Sequence, residues 1–402
     1  MNIKKLRVVW LCHFTNDEVQ AIINPRIKVD ELSPWIPSSY KILQNDQDIE
    51  LHIISPHKHI NNFKKYLKDG IYFYFYNAHM PIFGYPWPKF FKWDYISNFR
   101  KNKRITRKLV NNIHPEIIHL HGAENAYYSS SILQFIKEYP TILTVQGFIS
   151  KTNKRKSIQI KKKIHIEHLI LKKLKSAFYR TETMAKDLKI FNPDINLYWG
   201  TYPTKKIIPL ADISKKYDLV FFARVSKDKG IEDLLKAVAI IKIKKPDITL
   251  CVIGSGKLES FQLLAKELGI SENVIWAGFL PTQADVHKLA SQARIIVLPT
   301  YHDIISGTII ESLFLKIPVV AYNVGSIHEV NKHEEIISLV KKLDVEGLAK
   351  SILDLLNNEK LQEERAEKGY KRAMEMFSTS NEEIKNDLLK AYNKVIENFQ
   401  HS

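Results

Sequence analysis

The sequence predicts an α/β protein of two doubly wound, Rossmann-like domains, residues 1–205 and 206–379, with 380–402 returning to the first. Three observations carry this. Short β-branched and aromatic runs alternate with amphipathic helical patterns along nearly the whole chain, the pattern of βαβ units and parallel sheets. The 402 residues exceed what one core usually supports, since domains hold about 100–200 residues. The periodicity then breaks near 202–217, YPTKKIIPLADISKKY, where prolines and charges interrupt it.

In the first half, strands are expected at LRVVWLC, IELHIIS, IYFYFY, EIIHLH, TILTVQ and SAFYRT. In the second they are expected at YDLVFFA, ITLCVIG, NVIWAGF, RIIVLPT, PVVAY and EIISLV, with helical patterns at 229–244, 257–268, 282–292, 308–316 and 344–356. Over 380–400, Ile384, Leu388, Tyr392, Val395 and Phe399 recur at helical spacing. Such a stripe needs an apolar surface, which the first domain supplies.

With 45% hydrophobic and 26% charged residues the composition is globular. No run of about 18 apolar residues is present and the apolar core of the first residues is too short for a signal peptide, so a cytoplasmic protein is expected. Cys12 and Cys251 each fall in a strand, which suits reduced core thiols; neither a disulfide framework nor a metal is expected. The net charge of +17 is uneven: residues 1–206 hold 34 Lys and Arg against 16 Asp and Glu, and the remainder is nearly neutral. A basic half faces nucleic acid, an anionic membrane surface or an acidic ligand. KTNKRKSIQIKKKIHIEHLILKKLK (151–175) has ten Lys and Arg interleaved with apolar residues, and 84–104 mixes Trp, Phe and Tyr with cations. Both suit an anionic bilayer surface, and equally an ordinary solvated helix and a packed loop.

Open parallel sheets bind ligands at the carboxyl ends of their strands. In the second domain those ends carry Arg224, Gly254-Ser255-Gly256, Gly278, the stretch Tyr301 to Gly307, and Asn323 to Ser326. In the first they carry His13, His121-Gly122, Gln146-Gly147 and Thr181-Glu182. Two such edges facing each other would enclose a cleft. Arg224 and Lys229 span a strand end and a helix start, where backbone N–H groups and the helix dipole add to two cations and suit a diphosphate. In SGTIIES, Thr308 and Glu311 fit a capping box; alternatively the N–H groups of Ser306, Gly307 and Thr308 meet a phosphate or sugar oxygen and Glu311 accepts from ribose hydroxyls. His119 and His121 share a strand face, His119 reading as a buried strand histidine and His121 as a strand-end group able to reach the cleft. GSGK at 254–257 is not a P-loop, because Cys251 replaces its first glycine and Leu258 its Ser or Thr.

Taken in order, FFARVSKDKGIEDLLKAV, LCVIGSGKL, NVIWAGFLP and ARIIVLPTYHDIISGTIIESLFLKIPVVAYNVGSIHEV resemble the donor-binding domain of family 4 retaining glycosyltransferases of the GT-B fold, over about 217–330. PEIIHLHG and FYRTE resemble the family more weakly. The resemblance implies that Arg224 and Lys229 bind a donor diphosphate, Glu311 the ribose and Asp303 the transferred sugar. It implies that Gly254 and the 306–308 turn line the donor, that Gly278 and Phe279 lie beside the base, and that His121 sits by the reacting sugar and acceptor. His13 and Gln146 fall on the acceptor side. Four positions depart from the family pattern: Asp303 replaces a Glu, Ala223 a Gly, Gln146 a common His, and LCHFTNDEV lacks the usual Gly-Gly turn.

The expectation is a metal-independent, cofactor-free glycosyltransferase at the inner face of the cytoplasmic membrane. It would move a sugar from a nucleotide-sugar to a growing, lipid-linked saccharide in cell-surface polysaccharide biosynthesis, with retention by front-side attack. A nucleotide-sugar epimerase of the same fold would instead convert donor without acceptor. A basic nucleic-acid binder would retain oligonucleotide in a salt-dependent way, but no nucleic-acid motif is present and none is expected as partner.

Overall fold

The computed structural model describes residues 5–13, 35–57, 59–60, 62–79, 81–82, 85–86, 93–152, 157–201, 206–210 and 213–401. The chain divides into two compact units, 1–204 with 379–402, and 205–378.

Strands of the first unit are β1 (Leu6–Leu11), β2 (Ile49–His57), β3 (Lys64–Lys68), β4 (Ile71–Asn77), the two-residue pair β5 (Pro81–Ile82) and β6 (Tyr85–Pro86), β7 (Ile117–His121), β8 (Thr141–Thr144), β9 (Ser176–Tyr179) and β10 (Asn196–Trp199). Eight of them form one sheet in the order β10-β9-β8-β7-β1-β2-β4-β3. Every pairing is parallel except β3 with β4, an antiparallel hairpin at one edge. Its turn is Asp69-Gly70, both at positive φ (49° and 76°), the backbone that an Asp-Gly hairpin turn adopts. Neither β3 nor β10 is legible in the sequence as a strand: KKYLK and NLYW are short edge segments with little burial, so no run of apolar residues marks them.

The second unit holds β11 (Tyr217–Phe222), β12 (Leu250–Ile253), β13 (Val274–Gly278), β14 (Ala293–Leu298), β15 (Val319–Tyr322) and β16 (Ser338–Val340), all parallel, in the order β13-β12-β11-β14-β15-β16. Strand order reverses between β11 and β14 here, and between β1 and β7 in the first unit. Those are the switch points where a doubly wound sheet leaves a crevice at its carboxyl edge. β11 and β14 are buried on both faces, as strands covered by helices on either side must be.

Flanking helices used below are α1 (Trp35–Lys41), α2 (Arg100–Ile113), α3 (Ile158–Lys173), α4 (Glu182–Phe191), α5 (Ile231–Lys244), α6 (Leu258–Glu267), α7 (Gln283–Ala290), α8 (Gly307–Phe314), α9 (Val345–Leu356), α10 (Glu359–Phe377) and α11 (Asn381–Gln400). α11 belongs to the first unit and is capped by a Ser380/Glu383 capping box. It buries Ile384, Ala391, Tyr392 and Val395. The Tyr392 hydroxyl accepts from Trp10 Nε1 at 3.0 Å and lies 2.7 Å from His119 Nδ1, whose other nitrogen is 2.7 Å from Thr144 Oγ1. Trp10 can only donate. The assignment that uses every group has Tyr392 donating to Nδ1 and His119 donating from Nε2.

Much of the basic stretch 151–175 is helix α3. α3 turns Ile164, Ile166, Ile170 and Leu171 into the protein, together with Glu167, which accepts from the N–H groups of Ile149 and Ser150. Its apolar face is therefore occupied, and Lys161, Lys172, Lys173, Lys175 and the 85% exposed Ile158 face outward. Residues 153–156 of this stretch, and 84 and 87–92 of 84–104, lie outside the described residues. Of the remainder, Trp93 and Ile96 are exposed and Phe99 is buried.

Candidate functional site

At the carboxyl edge of the second sheet, β11 ends at Phe222 and the chain runs through Arg224 to Lys229. The path is held by backbone bonds, Ala223 N–H to Ile253 and Val225 N–H to Ser255. Gly254 has φ +146°, and a Cβ there would stand 1.8 Å from the Ala223 carbonyl oxygen. Only glycine lets β12 end flush against the Arg224 loop. The Arg224 side chain is largely exposed, its guanidinium 2.6 Å from Asp228 Oδ2 and 3.3 Å from Ser226 Oγ. Burial pushes the Asp228 carboxyl up, but the bond from Ser226 and the charge of Arg224 outweigh it and hold it below its usual value.

Lys229 meets Asp303 across the switch point: Nζ is 2.9 and 2.7 Å from the two carboxylate oxygens, and Thr300 Oγ1 donates to Oδ2 at 2.6 Å. The loop carrying Asp303 is fixed from three sides. Tyr301 N–H bonds the Asp228 carbonyl at 2.9 Å. Gly325, at φ +54°, packs where a Cβ would fall 1.8 Å from the Asp303 carbonyl oxygen. Buried Asp233, on α5, accepts from Tyr301 at 2.9 Å and Tyr322 at 2.8 Å, and both phenols are pushed up by burial and by that carboxylate.

The capping box read at Thr308 and Glu311 is not formed. α8 begins at Gly307 with Ser306 as N-cap, so Thr308 and Glu311 lie too far into the helix to cap it. Thr308 instead donates to the Phe222 carbonyl at 2.7 Å, tying the helix start to the end of β11. The Ser306 side chain makes no capping hydrogen bond, and the first N–H groups of a helix have no intrahelical acceptor. Glu311 turns toward α7: Oε2 is 2.9 Å from His287 Nε2 and accepts from Gln283, while those two side chains meet at 3.2 Å. Oε1 points back toward Gly307, 3.8 Å from where its Cβ would be. Gly278 ends β13 at φ +69°, and Phe279 beside it is 72% exposed.

Arg224, Lys229, Asp303, the 306–308 turn and Glu311 thus share one sheet edge, with Gly254 and Gly278 closing two neighbouring strand ends. The sequence reading missed Thr300, Asp233, Tyr322, His287 and Gln283. Only Gln283 and His287 left a signal, an i,i+4 pair on a helix face.

In the first unit His13 lies at the end of β1, stacked on His57 at 5.5 Å and hydrogen-bonded to Tyr127. Gln146 and Glu124 both lie against Gly122, within 2.8 Å of the position of its absent Cβ. Burial pushes the Glu124 carboxyl up to about 7, with the nearby charge of Glu167 acting the same way. His121 is 3% exposed, where the sequence places it at an open strand end. It stacks on His119 at 3.9 Å, and burial lowers it to about 3, so it is neutral across the physiological range. Among the described residues no group of three His, Cys, Asp or Glu converges to hold a metal ion, and no helix is long and apolar enough to cross a membrane.

The family model described as Glycosyl transferases group 1 matches residues 205–372. The capsular polysaccharide biosynthesis glycosyltransferase CapM of Staphylococcus aureus is 27% identical over 167 residues, 42% of this chain and 44% of CapM. The chain spans less than half the length of CapM and of two further curated relatives it matches. Among solved structures, sucrose-phosphate synthase from Thermosynechococcus elongatus superposes with a TM-score of 0.76 at 16% identity, covering 98% of this chain and 100% of that one. S. aureus TarM, in complex with fondaparinux, alpha-GlcNAc-glycerol and UDP, gives 0.59 at 16% identity over 73% of this chain and 59% of its own. The chain has the two-domain GT-B fold of these solved structures, and its residues 205–372 match the glycosyl transferases group 1 family.

Proposed function

We propose that this protein is a retaining glycosyltransferase that transfers a sugar from a nucleotide-sugar to a saccharide acceptor, lipid-linked and destined for a cell-surface polysaccharide. The observation that carries the reading is the convergence of Arg224, the Lys229–Asp303 pair, the uncapped start of α8 and Glu311 on one sheet edge. A nucleoside diphosphate leaving group gathers negative charge as the glycosidic bond breaks. Two cations and a helix start oppose that charge without a metal. In this reading Asp303 takes sugar hydroxyls, Glu311 Oε1 takes ribose hydroxyls, and exposed Phe279 offers a face to the base. Retention rests on the family resemblance, with the leaving phosphate taking the acceptor proton. The polysaccharide context is supported by the likeness to CapM, and a nucleotide donor by UDP in the TarM complex. The outward lysines of α3 support docking on an anionic inner membrane surface by charge.

A nucleotide-sugar panel read by thermal shift tests the donor, since a ligand at 100 times its Kd adds about 2.7 kcal/mol to stability. The matching donor then releases nucleotide when a membrane lipid extract supplies acceptor. Protection by none of the donors, with no nucleotide release, overturns the proposal.

A further inference from the structure

Besides Asp228, Gly325 and Asp233, one more residue holds the loop that carries Asp303, and it comes from the far edge of the sheet. β16 is the outermost strand, two places from β14, and its carboxyl end leads into Lys341 and Lys342. Lys342 Nζ donates to the Tyr301 carbonyl at 3.0 Å and stands 5.2 Å from the centre of the Tyr301 ring. The ammonium therefore holds the peptide between Tyr301 and His302, which leads directly into Asp303. With Tyr301 N–H on the Asp228 carbonyl and the phenol on Asp233, Lys342 completes the engagement of every polar group of Tyr301.

The backbone that delivers Lys342 is strained, which is an independent mark. Asp344 N–H bonds the Lys341 carbonyl at 3.0 Å and closes a turn with Leu343 in its third position at φ 68°. A positive φ there favours glycine or asparagine, and leucine is an outlier. Leu343 is 57% exposed, so burial of its side chain does not compensate. The turn is pinned on both sides: Asp344 accepts from Gly347 N–H at 2.8 Å at the start of α9, and Lys342 grips Tyr301. Strain of this kind persists where surrounding contacts over-determine it, and it gathers at functional sites.

A lysine after a strand end is ordinarily a solvated cation that adds little. Lys341 fits that description, being exposed, whereas Lys342 is half-buried with its ammonium turned onto a carbonyl and a ring. We infer that Lys342 is a positioning residue for sugar transfer, clamping the Tyr301 carbonyl so that Asp303 stands where the sugar needs it, and taking no part in holding the nucleotide. The inference rests on the glycosyltransferase reading for the step it serves, and on the geometry alone for the clamp.

Lys342→Met keeps the aliphatic stem and removes the ammonium. In the full chain, kcat for sugar transfer is expected to fall about tenfold, while nucleoside diphosphate binds within about twofold of the parent by calorimetry. Lys342→Arg reaches the same carbonyl and should recover most of kcat. Lys341→Met removes an equal charge from the exposed neighbour and should leave kcat unchanged. His302 supplies a readout independent of turnover. Burial first, then the charge of Lys342, lowers its pKa; Lys229 acts in the same sense, and Asp228 and Asp303 oppose them. The His302 titration, followed by NMR, should therefore move up in Lys342→Met and stay in place in Lys341→Met. Equal losses in the two methionine variants, a nucleotide affinity that falls as far as kcat, or no recovery in Lys342→Arg overturns the inference. A His302 titration that stays in place in Lys342→Met overturns the clamp itself. Undiminished transfer in Lys342→Met removes the positioning role and leaves the transferase standing. A parent that releases no nucleotide from any donor, with His302 moving as expected, leaves the clamp and removes the transferase.

Discussion

Lys229 and Asp303 form a two-pronged ion pair, 2.9 and 2.7 Å from ammonium to the two carboxylate oxygens, although 74 residues separate them in sequence. The cation proposed for a phosphate is thus already shared with the acid proposed for the sugar. Substituting either should have opposite effects on nucleotide. Lys229→Ala removes a charged hydrogen bond of about 1.5–3 kcal/mol, so nucleoside diphosphate should bind about 10- to 100-fold more weakly by calorimetry. Asp303→Asn releases Lys229, so the same nucleotide should bind as well or better while sugar transfer falls. Equal weakening in both variants would show that the pair only supports the loop.

Glu311 divides its work between its oxygens, Oε2 held by α7 and Oε1 turned toward Gly307. His287→Ala should therefore raise the donor KM about three- to tenfold with kcat nearly unchanged, because a positioning bond and not a transition-state contact is lost. Glu311→Gln should cost about 1–3 kcal/mol of donor affinity and, with no capping box to break, leave the melting temperature close to that of the parent. A large fall in melting temperature with unchanged KM would contradict both expectations.

Asp233 accepts from two tyrosines in the core beneath the Asp303 loop. Tyr322→Phe removes one bond and should cost about 1 kcal/mol in urea unfolding. Asp233→Ala leaves one buried and one half-buried hydroxyl without acceptors and should cost about 2–5 kcal/mol, more than either tyrosine variant. A smaller loss for Asp233→Ala than for Tyr322→Phe would refute the arrangement.

Acid should destabilise the protein through His119 and His121. Burial holds both below the value of about 6.5 that an unfolded histidine has, His121 at about 3. Between those limits the unfolded chain binds protons that the native state refuses. The contribution is complete above about pH 6.5 and falls as pH drops, by up to about 1.4 kcal/mol per unit for each histidine. Glu124, raised to about 7, acts in the opposite sense: its contribution is present below its unfolded value and lost as pH rises through 7, so it offsets part of the histidine effect. Urea midpoints at pH 7.5 and 5.5 check this. The loss on acidification should shrink by about 1 kcal/mol in His121→Gln, and an identical loss in parent and variant would exclude His121 as a source.

Much of the donor-side edge was legible because its signals are local. Arg224, Lys229 and the 306–308 turn lie just past strand ends, and strand ends follow from apolar runs. What sequence could not show was pairing across distance. Asp303 meets Lys229 because β14 lies beside β11, a fact of strand order. Glu311 meets His287 because of where α8 lies against α7. The Thr308–Glu311 spacing was ambiguous for a physical reason: the same interval serves a cap or a site, and only the true helix start, two residues earlier at Ser306, decides between them. His121 was placed at an open edge because His-Gly ends a strand, and nothing in the sequence announces that helix α11 lies over that face.

The bond from Tyr392 to Trp10 and His119 also sets an order of events during synthesis. Trp10 and His119 are made early, but the helix that covers them emerges only after the whole of the second unit. All residues of the second unit are made before that helix, whereas the first must wait with part of its sheet face bare. The half translated first is thus the half finished last, and its uncovered aromatic face is the surface a nascent-chain chaperone would meet.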